Sequence, residues 1–342
     1  MNISPQKLFL TSFFFAFISS AAQAEEIKVG IIGSTTDAPI FIADANGYFR
    51  DEGISVALVP FASGAQMSAP LATGELSVAT GAVSASLYNA VNRGITLKIV
   101  ADKSRHAAGF GHASILVRED LKDKIRSFAD LKGLKIAVSG RGSGDESVLN
   151  EALRKGNLKW SDAEPVYLGF PQHAPAFANK AIDAALTSEP AQTYILKAGT
   201  AVRMARVGEF YPDQQSAAII YGTKFANSNP QVAIQFMKAY VRGTRFYADA
   251  VRNGKLNGPN AARVIEILTT YSNLKDKEIY ENSIPPIIDP DGQLNIDSLK
   301  KDWAFFKETG EIDGKISVDE VVDTSYVKKA VELLGPYRPA SP

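Results

Sequence analysis

The sequence predicts two α/β lobes of similar build, followed by a helical tail. Three observations predict this. Short β-rich runs alternate with helical stretches, as in parallel β-α-β units. The same order of runs occurs twice, about 107 positions apart. The last third of the chain then loses its strands and keeps helical periodicity.

In the first lobe, Ile27–Ile32 is a strand that ends in Gly33, Ser34, Thr35, Thr36 and Asp37. Ala38–Tyr48 reads as a helix, with Pro39 in its first turn and Gly47 near its end. Ile54–Pro60, Leu76–Thr80 and Ile95–Val100 are further strands, with helices up to Thr73 and over Val83–Asn92 between them. The second lobe repeats the layout. Leu134–Ser139 answers Ile27–Ile32, Pro165–Phe170 answers Ala57–Phe61, Ala181–Thr187 answers Glu75–Thr80, and Val202–Ala205 answers Leu97–Val100. A period this long indicates a duplicated domain rather than a solenoid. From Asn229 onward the chain is helical. Asn229 caps a helix that has Pro230 at its first position, and Ala261–Tyr271, Ile296–Thr309 and Thr324–Leu334 follow. This tail is expected to pack on the first lobe; the alternative is a third domain.

Residues 1–24 read as a cleavable secretory signal peptide. Lys7 precedes an apolar run, Leu8–Ile18, and Ala22-Gln23-Ala24 forms a small-x-small cleavage site. The run is too short to span a bilayer. There are no cysteines among the 342 residues. Stability is therefore expected from packing rather than disulfides, and no lipid-accepting cysteine is available. An exported chain without a lipid anchor is expected in the periplasm. With 37 Lys and Arg against 37 Asp and Glu, the chain has no net charge, which argues against a nucleic-acid partner.

In open α/β sheets ligands bind beyond the carboxyl ends of the strands. Two such sheets in one chain can face each other across a cleft. The expected lining loops are 34–37, 62–66 and 81–84 on the first lobe and 140–145, 171–173 and 188–190 on the second. This singles out Ser34, Thr35, Thr36, Asp37, Ser63, Gly64, Gly81 and Ser84 on one side, and Arg141, Gly142, Ser143, His173 and Glu189 on the other. Several precede a helix, whose free N–H groups bind anions. Each Ser, Thr or Gly could equally be a simple cap or turn residue.

Arg141 in Arg141–Asp145 could hold an anion in bidentate fashion, or lie exposed on a tight turn. His106 and His173 fall in switch or crossover loops, as ligand contacts or as plain loop residues. His112 reads as an exposed loop histidine. Glu189 could accept from ligand amino groups or bridge within its own lobe. Phe41, Phe61, Tyr88, Phe110 and Tyr221 could wall a ligand, although aromatics at such positions more often belong to a core. Asp289–Gly292 lacks the closing Glu of a calcium loop and reads as a turn. No metal and no cofactor are expected.

Ala38–Phe49, Glu52–Ile54, Leu71–Glu75, Asn89–Gly94, Asp130–Gly133, Glu189-Pro190, Phe305–Gly310 and Asp323–Val327 together resemble the nitrate/sulfonate/taurine-type solute-binding proteins. That group includes the thiamine-precursor binders related to NMT1/THI5. The resemblance runs over essentially the whole chain after residue 24. It implies a periplasmic-binding-protein fold of the second topological class, with a two-crossover hinge near Ala107–Leu116 and Phe210–Tyr221. Lobe I would be 25–110 with 217–342, and lobe II would be 111–216. It further implies a monomer that closes on a small molecule and docks on the membrane permease of an ABC transporter with its cytoplasmic ATPase. The solute class stays open between a small organic anion, such as an alkyl or aryl sulfonate, and a pyrimidine or other heterocycle. An enzyme is not expected: the related pyrimidine synthases use a cysteine-rich motif, and no G-x-S-x-G elbow or P-loop is present. A periplasmic hydrolase and a sensor-linked binding protein are the remaining alternatives.

Overall fold

The computed structural model describes residues 26–340, so the signal peptide expected over 1–24 lies outside the described residues. Ten strands form two five-stranded sheets. They are β1 (Glu26–Ile31), β2 (Ser55–Pro60), β3 (Val78–Gly81), β4 (Leu97–Arg105), β5 (Ala113–Arg118), β6 (Lys135–Val138), β7 (Glu164–Tyr167), β8 (Ala184–Ser188), β9 (Ala201–Arg206) and β10 (Gln215–Gly222).

One sheet has the order β2-β1-β3-β10-β4 and the other β7-β6-β8-β5-β9. The two orders correspond strand for strand, as the repeat in the sequence predicts. In each sheet one strand runs antiparallel to its neighbours: β10 between β3 and β4, and β5 between β8 and β9. The chain leaves the first sheet after β4, forms the second with β5 to β9 and returns with β10, so it passes between the sheets twice, over residues 106–112 and 207–214.

Local chemistry explains the elements. Ile27, Val29 and Ile31 of β1 are buried on one face, while on the other Lys28 is exposed and Gly30 lies under Met67 and Leu76. Helix Pro230–Ala250 begins where the Asn229 side chain accepts from the Val232 amide, with Pro at its first position. It packs on helix Ala38–Ala45 so closely that a Cβ at Gly243 would fall 2.2 Å from the Pro39 carbonyl oxygen. Ile265, Leu268, Tyr280 and Val327 of the tail share one buried cluster with Ile27, Val29 and Ile31 of β1. Helix Ile296–Glu308 reaches the second sheet's helix Gly144–Lys155.

Four elements differ from the sequence reading. Strands β5 and β10 begin inside the segments expected as crossovers, Ala107–Leu116 and Phe210–Tyr221. The helix expected over 38–48 ends at Ala45, because Gly47 turns left-handed at φ 75°, and a short turn, Tyr48–Asp51, follows. β4 does not stop at Val100 but continues to Arg105. Strand β10 lies beside its polar half with bulges, and this keeps Asp102, Lys103 and Ser104 in the sheet.

Candidate functional site

The loop edges of the two sheets face and touch each other. The Ala85 amide donates to the Gly142 carbonyl across the seam at 2.9 Å, and the Thr35 amide lies 3.5 Å from the Glu189 carbonyl. A Cβ on Gly140 would come within 3.2 Å of Ser63 Oγ, and one on Gly169 within 3.2 Å of Ala62 Cβ. Gly64 and Gly81 let two loops of the first lobe cross at contact distance, since a Cβ on Gly81 would sit 2.8 Å from Gly64 Cα.

The loop after β1 is built around Asp37. Its Oδ2 accepts from the amides of Ile32, Gly33 and Ser34 at 3.1, 2.8 and 3.2 Å. Its Oδ1 accepts from Thr80 Oγ1 at 2.9 Å and pairs with Lys103 Nζ at 2.7 Å. Lys103 also donates to the Thr80 carbonyl at 2.9 Å. Burial pulls the Lys103 ammonium below its usual range, and Asp37 opposes that shift. Ser34 and Thr36 hydroxyls bond each other at 2.9 Å at the mouth of this loop.

Between the sheets lies an inner cavity of about 50 Å³, lined by Ser34, Thr36, Lys103, Ser104, His106, His112, Asp145, Ser188 and Ser216, among others. It shares a wall with an outer pocket of about 180 Å³ that is largely apolar, with Phe170, Pro171, Ala174, Pro190, Tyr194 and Leu274. Ile32, Ser34, Phe170 and Ser188 line both. The imidazoles of His106 and His112 stack with centroids 4.4 Å apart and planes 15° from parallel. Both rings are buried, and among the described residues neither Nδ1 has a hydrogen-bond partner. Burial and the neighbouring His112 push His106 well below the usual histidine range. Burial and Lys103 push His112 down to about 3. The pair is therefore neutral at pH 7. Asp145 lines the cavity with its carboxyl raised by burial, while Oδ2 accepts from the Ser139 amide at 3.2 Å.

Of the residues singled out from the sequence, Ser34, Thr36, Gly81 and His106 line the inner cavity. Thr35, Ser63, Gly64 and Gly142 form the contact between loops, and Thr35 Oγ1 is buried without a partner among the described residues. Ser143 opens helix Gly144–Lys155 with its Oγ likewise buried and unpartnered. Asp37 holds its own loop. Ser84 is engaged with Ser68 and Ser86 at 3.3 and 2.8 Å.

Five residues either settle an alternative that the sequence left open or depart from their expected place. Arg141 points out of the cleft, 72% exposed, and pairs with Glu311 at 3.2 Å, because the loop turns at Gly142 (φ 65°). His173 folds back into its lobe, where its Nε2 bonds the Leu168 carbonyl at 2.9 Å. Tyr221 is on the helix-covered face of β10. Its hydroxyl donates to the Ala233 carbonyl at 2.8 Å, and Phe225, Phe236 and Tyr326 surround its ring. Glu189 borders the outer pocket, but its carboxylate turns inward to Gln192 and to the Thr193 amide and hydroxyl at 2.7, 3.0 and 2.9 Å. Burial raises that carboxyl. His112, read as an exposed loop residue, is only 2% exposed because it stacks on His106. Lys103, Ser104, Ser216 and Phe170 carry no motif. The one sequence signal for the first two is a polar run, 102–105, continuing a strand.

At the second passage a brace joins the lobes. Asp302 of helix Ile296–Glu308 accepts from Ser147 Oγ at 2.6 Å, Tyr211 Oη at 2.8 Å and Gln214 Nε2 at 2.8 Å. Burial raises its carboxyl to about 6 against these three donors. Trp160 meets Phe305 edge-on nearby, with centroids 5.4 Å apart.

The family model described as NMT1/THI5 like matches residues 34–250. The chain belongs to the NMT1/THI5-like family. Among curated relatives, an aliphatic sulfonates-binding protein of Bacillus subtilis (strain 168) is 28% identical over 323 residues, covering 91% of this chain and 89% of that protein. Among solved structures, the alkanesulfonate-binding protein SsuA from Xanthomonas axonopodis pv. citri, bound to MOPS, superposes with a TM-score of 0.70 at 20% identity. It covers 88% of this chain and 99% of the other. The periplasmic nitrate-binding protein NrtA from Synechocystis PCC 6803 superposes with a TM-score of 0.74 at 16% identity, covering 91% and 89%. This member of the family thus has the periplasmic-binding-protein fold, as its sheet order indicates.

Proposed function

We propose that this protein is the exported solute-binding component of an ABC importer. It captures a small organic anion, such as an alkyl or aryl sulfonate, between its lobes and hands it to a membrane permease driven by a cytoplasmic ATPase. The observation that carries this reading is the pair of adjoining cavities, an inner one lined by many hydroxyl, imidazole and charged side chains and a largely apolar outer one, sharing Ile32, Ser34, Phe170 and Ser188. An oxyanion head suits the hydroxyls and helix-start amides of the inner cavity. An organic tail suits Phe170, Pro171, Ala174 and Tyr194. What the matched relatives are named as binding, sulfonates and nitrate, supports the same class.

The lobes in this proposal are 25–110 with 217–342, and 111–216, a division supported by the two sheets and the passages at 106–112 and 207–214. The protein works in the periplasm as a monomer, by capture rather than turnover. The leader-like segment over 1–24 and the relatives' names as binding proteins support this. Thermal unfolding with ethanesulfonate, butanesulfonate, benzenesulfonate and nitrate tests it. A solute that binds only the folded state raises the melting temperature, by about 2.7 kcal/mol of stability at a hundredfold excess over Kd. No shift with any of the four contradicts the anion reading.

A second reading, an uncharged heterocycle such as a pyrimidine, is favoured by one observation. Among the described residues the one lysine or arginine lining either cavity is Lys103, already paired with Asp37. Stabilisation by pyrimidines but by none of the anions would select it.

A further inference from the structure

The inner cavity poses a charge problem. Lys103 is neutralised by Asp37 at 2.7 Å, Arg141 lies outside, and Asp145 adds a carboxyl to the lining. A buried anion without a counter-charge is strongly disfavoured. What the cavity does contain is His106 stacked on His112.

The proton positions on His112 follow from its neighbours. Ser216 Oγ lies 2.9 Å from the Ser104 carbonyl, 2.5 Å from the Ser104 hydroxyl and 3.5 Å from His112 Nε2; with its one hydrogen assigned to the carbonyl, it accepts from the Ser104 hydroxyl and faces His112 Nε2 as an acceptor. His112 then carries its proton on Nε2, and its buried Nδ1 is a lone pair that no protein donor meets among the described residues. The Nδ1 of His106 is buried without a partner as well. Among the described residues no group of three or more His, Cys, Asp and Glu is placed to hold a metal ion. The backbones of the pair are held on both sides of the lobe boundary. His106 exchanges hydrogen bonds with Gln214 and Asp213 of the second passage at 2.9 and 2.8 Å, and the His112 carbonyl accepts from the Glu189 amide at 2.7 Å.

From this geometry we propose that the His106–His112 pair is the counter-charge of the site: an anionic solute is bound together with one proton, which lodges on an unpartnered Nδ1 of the pair. The proton comes from solvent, no bond breaks in the solute, and the net charge of the closed cavity is unchanged. The other charged groups around the pair are already engaged. Lys103 pairs with Asp37, Asp145 bonds the Ser139 amide, Glu189 caps its own helix, Arg206 pairs with Glu209 at 3.2 Å, and Asp102 accepts from the Gln215 side chain. The depressed basicity of both rings in the free protein agrees with this, since it leaves them unprotonated until an anion arrives. The inference rests on the anion reading above.

The test is titration calorimetry with butanesulfonate and benzenesulfonate between pH 5.5 and 8, in buffers of differing ionisation enthalpy. It is paired with proton NMR of the imidazoles, of which the chain has three. Affinity is expected to tighten by up to about tenfold per unit fall in pH, with uptake approaching one proton. In the spectrum, saturation turns His106 or His112 into imidazolium and leaves His173 unchanged. The variants His106→Gln and His112→Gln assign the signals and lose the pH dependence. Should a variant not fold, the wild-type spectrum alone still decides. Sulfonate binding with no proton uptake overturns the inference and leaves the anion reading standing. Failure of both sulfonates to bind at every pH overturns that reading, and this inference with it.

Discussion

Lys103 Nζ stands 2.7 Å from Asp37 Oδ1, and both side chains are closed off from solvent. The pair ties the start of the first cleft loop to the polar half of β4. Because Asp37 also takes three amides and the Thr80 hydroxyl, the ion pair is part of the wall of the site rather than a free receptor for charge.

Removing one partner leaves the other charge buried and alone. Lys103→Met or Asp37→Asn should each cost about 3–5 kcal/mol in urea unfolding. The double variant should cost clearly less than the sum, because no lone charge remains. Additive losses would show that the two groups do not act as a pair.

Arg141 is the one cation that the sequence offers for anion binding, and its guanidinium faces solvent beside Glu311. Arg141→Ala should therefore leave the Kd for butanesulfonate within about threefold. A loss of tenfold or more would place Arg141 on the solute and redraw the cleft.

The Asp302 brace has a pH signature. Its carboxyl titrates at about 6 in the folded protein, above the value of 3.8 for a free aspartate. The native state thus holds a proton that the unfolded chain has released over that interval. Its contribution is fully present below about pH 4 and is lost as pH rises through 6. Asp302→Asn removes this titration. The variant should gain on wild type by up to about 3 kcal/mol between pH 4 and pH 8 in matched urea unfolding curves. Parallel curves would contradict the assignment.

Four strands of each sheet were legible because their signals are local, while β5 and β10 lie in segments read as crossovers. Ile27, Val29 and Ile31 alternate, Pro39 and Pro230 open helices, and the same runs return about 107 residues later. The loop edges followed from topology, so Ser34, Thr36 and Gly81 could be placed at the cavity. What could not be read was direction. Arg141, His173 and Tyr221 occupy the expected segments, yet each side chain turns away, through the left-handed Gly142, a bond to Leu168 and a bond to Ala233 respectively. The His106–His112 stack was hidden for another reason. It joins the end of one sheet to the start of the other, and five intervening residues including Gly109 and Gly111 carry no periodicity. Lys103 was missed because its partner Asp37 is 66 positions away in the chain.

In the proposed function the solute is enclosed between the loop after β1 and the loop after β8, against the stacked histidines. A crystal structure with butanesulfonate bound measures this most directly. The sulfonate group is expected within hydrogen-bond distance of Ser34, Thr36 or Ser188 and of one imidazole, with the alkyl chain lying on Phe170. A sulfonate found in the groove beside Trp160 and Arg154 instead, with the inner cavity unchanged, would contradict it.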